Sequence, residues 1–156
     1  MKKIPLLPRY FQWIGIVLLL LFTALYIYLL IDKNNHIFIN MFAIIDDSPF
    51  QDDVYFGLTE VDPQFTVLFF LLMVGLAFVA FARKKTEDEM IQTLRLYSWS
   101  WSILIMIILA LIVSLFFFGI SFLTFLSLFG HCILLLFILI FNINLYKMNR
   151  GAKNEE

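Results

Sequence analysis

One ionisable side chain stands where charge is hardest to keep. His131 lies about ten residues, or 15 Å, from either end of the last apolar run, near the middle of a bilayer. On a helical projection it falls within roughly 60° of Thr124, Ser127 and Asn142, so a polar seam runs down one side of an otherwise apolar helix. Such a seam must face protein or water. Its chemistry could be a proton relay, a cation or small-ligand site for transport, or, across a dimer axis, a pair of axial haem ligands in a haem or quinone redox subunit. The plainer expectation is a neutral imidazole hydrogen-bonded to a neighbouring helix. Relays normally add carboxylates inside the membrane, and no span holds one.

A second group of residues lies between spans. Arg83-Lys84-Lys85-Thr86-Glu87-Asp88-Glu89 places Thr86 three residues before Glu89, the spacing of a capping box, and predicts a helix from Glu87. At 100° per residue Met90, Leu94, Tyr97 and Trp101 share one face, with Asp88, Gln92 and Arg95 on the other. The third span therefore begins as an amphipathic extension that could dock on a partner, or lie on headgroups with the basic cluster as its anchor. Elsewhere, Asp46, Asp47, Asp52 and Asp53 lack the alternating spacing and glycine turn of a calcium loop. The stretch His36 to Ile45 reads as a short helix or strand at the membrane surface, with the aspartates as its solvated cover. Cys132 is the lone cysteine, and with His36 and His131 it makes no metal set. Serine-hydrolase, zinc-protease, phosphate-loop and Cys-x-x-Cys motifs are all missing, so no catalytic residue, metal or cofactor is expected.

The elements that must carry these groups are set by composition. Of 156 residues 62% are apolar and 15% charged, with a mean hydropathy of +0.92, which excludes an ordinary soluble domain. A hydrocarbon core of about 30 Å needs about 20 apolar residues per crossing. Tyr10 to Ile31 is the first such stretch, and Phe65 to Ala82 the second, opened by Asp62 as N-cap and Pro63 at the first helical position. Trp99 to Phe141 is twice too long and must fold back, at Gly119-Ile120-Ser121, with the glycine ending one helix and the serine capping the next. The expected spans are thus about 10–31, 63–83, 98–118 and 121–142, in a single domain over 1–156.

Ten of the eleven Lys and Arg residues fall before span one, between spans two and three, or after span four. The 32–62 loop holds Lys33 against seven acids. By the positive-inside rule both termini are cytoplasmic. Tyr10, Trp13, Tyr97, Trp99, Trp101 and Tyr146 would mark the inner interface, and Phe116, Phe117, Phe118 and Phe122 the outer one. The expectation is an all-α membrane protein, a compact bundle of four transmembrane helices. With a net charge of −1 its partners are the bilayer, a second copy or another membrane protein, and not nucleic acid. The favoured role is a non-enzymatic accessory, scaffold or sensory component.

Three segments carry a resemblance: Pro8-Arg9-Tyr10-Phe11, then Arg83 to Leu96 followed by Tyr97-Ser98-Trp99, and finally Phe141 to Lys147. Together they resemble a group of uncharacterised small four-span bacterial inner-membrane proteins. The most specific part is the Glu-Asp-Glu-x-Ile-x-x-Leu-Arg-Leu loop, Glu87 to Leu96. The resemblance implies a bacterial inner-membrane location and four spans, and it transfers no catalytic or binding residue.

Overall fold

The computed structural model describes residues 6–31, 38–46, 54–85 and 88–153. Lys33, His36, Asp47, Asp52, Asp53, Thr86 and Glu87, named above, lie outside them. The chain runs as α1 (Tyr10–Ile31), β1 (Ile39–Asp46), β2 (Val54–Val61), α2 (Gln64–Phe81), α3 (Glu89–Phe116) and α4 (Ile120–Lys153). All four helices are long and apolar enough to cross a membrane, the mark of a multi-pass membrane protein.

Local chemistry sets the helix ends. Asp62 Oδ1 accepts the Gln64 N–H at 3.0 Å and the Pro63 carbonyl accepts from Val67 at 2.8 Å, so α2 starts where its sequence predicts. The start of α3 differs from the expectation. It begins at Glu89, not Glu87, and Asp88 is the N-cap, its carboxylate accepting the Glu89 N–H at 2.7 Å. A charged acceptor against the first free N–H, at the positive end of the helix dipole, makes Asp88 a strong cap. Glu89 then occupies the first helical position and cannot be the third-position partner of a capping box.

The long apolar run breaks as expected. α3 stops at Phe116 and Gly119 takes φ +68°, a left-handed conformation that glycine adopts without steric cost. Ser121 does not cap α4. Its place is inside the first turn, and the Gly119 carbonyl opens the helix by accepting from Phe122 at 3.1 Å and Leu123 at 3.2 Å.

The chain divides into two compact units. In the Leu20–Leu71 unit, β1 and β2 pair antiparallel with Ile39 opposite Val61 and Asp46 opposite Val54. The strand alternative for this loop is the one realised, in segments rich in β-branched and aromatic residues. The other unit holds Met1–Leu19 and Leu72–Glu156. There Trp99 stacks on Phe137 with centroids 4.4 Å apart, while Arg95 lies over Phe141, four residues back on one helix and four on on the other. That reciprocal spacing is the signature of an antiparallel helix pair, so the run does fold back. Leu76, Ala80, Ile91, Leu134, Phe137 and Phe141 form the core. Gly15 and Gly75 bring α1 against α2 so closely that a Cβ at Gly15 would sit 2.8 Å from the Gly75 carbonyl oxygen.

Candidate functional site

α2 reaches its last turn with carbonyls that no later helical N–H can satisfy, a cost that grows where water is scarce. The first supplier is the chain's own start. The Leu7 N–H donates to the Phe81 carbonyl and the Arg83 N–H donates to the Leu7 carbonyl, each at 3.0 Å, tying the entry of α1 to the exit of α2. The second supplier is Arg95. Its Nη1 donates to the Ala80 carbonyl at 2.9 Å and its Nη2 to the Ala82 carbonyl at 3.4 Å, and the residue is only 2% exposed. Ala80 and Ala82 are small and themselves buried, which lets the guanidinium reach their backbone.

This overturns the placement of Arg95 on an open polar face with Asp88 and Gln92. Of those three, Asp88 is exposed and Gln92 half-buried. The buried stripe of α3 is Ile91, Arg95, Ser98, Ser102 and Met106. Ser98 and Ser102 fit there because each hydroxyl donates within its own helix, to the Leu94 carbonyl at 2.8 Å and the Ser98 carbonyl at 2.7 Å. A signal for this face was present in the sequence: small polar residues at helical spacing from an arginine, in a span where polar atoms must turn inward.

Arg95 is one wall of a polar recess. Its guanidinium carbon lies 4.9 Å from the centroid of Phe141, and Lys84 Nζ lies 5.7 Å from the same ring. Gln12, from the first turn of α1, and Asn142 join these residues around a cavity of about 30 Å³. That is room for roughly one water molecule.

The other sequence-predicted residues separate. His131 is 3% exposed, on the buried stripe of α4 with Leu134, Phe137 and Phe141. Thr124, Ser127 and Asn142 are exposed, donating to the carbonyls of Ile120, Thr124 and Ile138 in their own helix at 2.8–2.9 Å. The structure therefore does not bring the seam together as one lined path. Met90, Tyr97 and Trp101 are exposed, with the Tyr97 and Trp101 rings 6.1 Å apart, while Leu94 packs on the core. Trp99, expected at the interface, turns inward between Phe81 and Phe137. Among the described residues no three His, Cys, Asp or Glu side chains converge as metal ligands would. No protein-family model, curated protein or solved structure matches the chain.

Proposed function

We propose that the protein is a non-enzymatic accessory or sensory component of the bacterial inner membrane, with four spans and both termini cytoplasmic, which engages another membrane protein or a second copy through the cytoplasmic end of α3. The observation that carries this reading is the length of two helices. α3 has 28 residues and α4 has 34, or about 42 and 51 Å at 1.5 Å per residue, against about 30 Å of hydrocarbon. The surplus lies where α3 begins and α4 ends. There Ile91 and Leu94 belong with Leu145 and Met148 to one packed cluster, so the protruding turns support each other. On their outside Met90, Leu96, Tyr97 and Tyr146 stay exposed, an apolar patch offered at the membrane boundary.

Orientation has its own support. The Leu7 tie to Phe81 and Arg83, the Arg95 bonds to α2, and the Arg95–Phe141 contact gather the entry of α1, the exit of α2, the start of α3 and the late turns of α4. Those are the segments that carry the basic residues, the side that stays in the cytoplasm. A transport or redox role through His131 draws no comparable support, because the polar residues of its seam stand apart.

A photo-crosslinking residue placed at Met90 or Tyr97 in cells, compared with one at Ile105 farther along α3, tests the proposal. Discrete protein adducts from the first two sites and only lipid adducts from Ile105 are expected. Lipid adducts alone from all three would reject the docking role. A reporter fused after Glu156 that proved accessible from outside would reject the orientation.

A further inference from the structure

We propose that the outer side of α4, from Leu139 to Arg150, is a binding groove for one anionic phospholipid, with an acyl chain along its apolar part and the headgroup phosphate at Lys147 and Arg150. This goes beyond the docking role of α3, shares only Tyr146 with that patch, and either can fail alone.

An open groove of about 450 Å³ is lined by Leu139, Asn142, Ile143, Tyr146, Lys147 and Arg150. Its volume is that of a ligand site, well above the room a single water needs. At 100° per residue Leu139, Ile143, Tyr146 and Arg150 fall within roughly 40° of the direction opposite Phe141. Phe137, Leu145 and Met148 share the side of Phe141, on the core. The groove therefore faces away from the packed cluster, where lipid lies.

The order of side chains along it matches one lipid leaflet. Arg95 lies over Phe141 and bonds the Ala80 carbonyl, so Phe141 stands level with the last turn of α2, the edge of the hydrocarbon for a span ending at Phe81. Leu139 and Ile143, both about half exposed, sit at that edge. Tyr146 and Arg150 follow roughly 7 and 13 Å farther along the helix axis. Apolar side chains thus give way to a carboxamide and a phenol, and then to two cations whose flexible stems can reach back to a phosphate. A soluble phosphate would leave Leu139 and Ile143 uncovered, and an acyl chain covers them.

Charge selects the headgroup. Ile120–Lys153 contains no Asp or Glu, so neither cation has an acid three or four residues away on its own helix. Asp88 and Glu89, at the start of α3, stand on the helix packed against the opposite side of α4. Any pair that Glu155 or Glu156 made with exposed Arg150 would itself be solvent-exposed and worth little. Lys and Arg on a phosphate make charge-assisted hydrogen bonds. An anionic lipid keeps its negative charge there, whereas a choline headgroup brings a compensating cation.

The test titrates the full chain in detergent with phosphatidylglycerol or phosphatidylcholine and counts bound lipids by native mass spectrometry. Wild type should hold one phosphatidylglycerol more tightly than phosphatidylcholine. Lys147→Gln with Arg150→Gln should weaken that binding about tenfold. Arg9→Gln with Lys85→Gln removes the same charge at two exposed positions elsewhere and should leave it nearly intact. If the first pair disturbs folding, Ile143→Gln keeps both cations, interrupts the apolar part and should weaken binding severalfold. Phosphatidylglycerol with a photoreactive acyl chain should label α4 between Leu139 and Ile143. Equal retention of the two lipids, equal losses from the two charge pairs, labelling confined to other helices, or displacement of the lipid by equimolar inorganic phosphate overturns the proposal.

Discussion

The two halves of the α3–α4 hairpin are both rich in large apolar residues and have opposite surroundings. In the half toward the start of α3, Arg95, Ser98, Ser102 and His131 are buried along with Ile91, Met106, Leu134, Phe137 and Phe141. In the half toward the Gly119 turn, no residue between Met106 and His131 is buried, although most of the segment is Leu, Ile and Phe. Hydrophobicity therefore does not decide what goes inside. In lipid an exposed leucine costs nothing, while a polar atom must find a partner in protein, so polar and small side chains draw helices together and large apolar ones are left to face the chains. The packed half is held by specific bonds, and the open half by the membrane.

Breaking the packed half where its bonds are strongest should have the largest effect. Arg95→Leu removes two charge-assisted bonds to the end of α2 and leaves the Ala80 and Ala82 carbonyls unsatisfied, at a cost of about 4 kcal/mol. Reversible unfolding in detergent measures it, with Leu115→Ala in the open half as reference, where a change within about 0.5 kcal/mol is expected. Equal losses from the two would mean that Arg95 is not the tie described.

Next come two phenylalanines that composition cannot tell apart. Phe137 is 1% exposed and stacked between Trp99 and Phe141, whereas Phe118 is 77% exposed. Phe137→Ala should cost about 3 kcal/mol and alter Trp99 emission, and Phe118→Ala should do neither. A loss at Phe118 comparable to that at Phe137 would show that the open half is covered by another chain.

This contrast also marks what the sequence could reveal. The four membrane-length helices, the Asp62-Pro63 start and the break at Gly119 were legible because they depend on run length and on chemistry within a few residues. Arg95 was not, because its face is set by which helix lies against it. A helical projection sorts residues by angle, and the angle buried here, through Ser98 and Ser102, is not the most apolar one. The seam of His131 failed to assemble for the same reason. Thr124 and Ser127 share its angle but lie in the open half, where their hydroxyls turn to their own backbone. The continuation of α4 to Lys153 was also missed, since the membrane argument ends at Asn142. Leu145 and Met148 continue the helical spacing of Phe141 and pack on the core, which supplies the reason for the extra turns.

Glycines sharpen the comparison at smaller energies. A Cβ at Gly15 meets the backbone oxygen of Gly75 at 2.8 Å, and neither helix can yield without moving. A Cβ at Gly130 meets only the terminal methyl of Met73 at 2.9 Å, which can swing aside. Gly15→Ala should therefore cost about 2 kcal/mol. Gly130→Ala should be neutral or stabilising by up to about 1 kcal/mol, from the gain in helix propensity.

Gly119 carries a small expected cost and the most local one. Nothing lies within 4 Å of a Cβ built there, so an alanine meets no steric barrier from neighbours. The remaining cost is the left-handed backbone, φ +68°, which an L side chain disfavours by about 1 kcal/mol. Because no residue around the turn is buried, that cost should stay in the turn. Hydrogen exchange at Phe122 and Leu123, whose amides bond to the Gly119 carbonyl, should quicken in Gly119→Ala while Trp99 emission stays unchanged. A shift in Trp99 would mean that the turn is mechanically coupled to the packed half, and the two halves would then have to be treated as one cooperative unit.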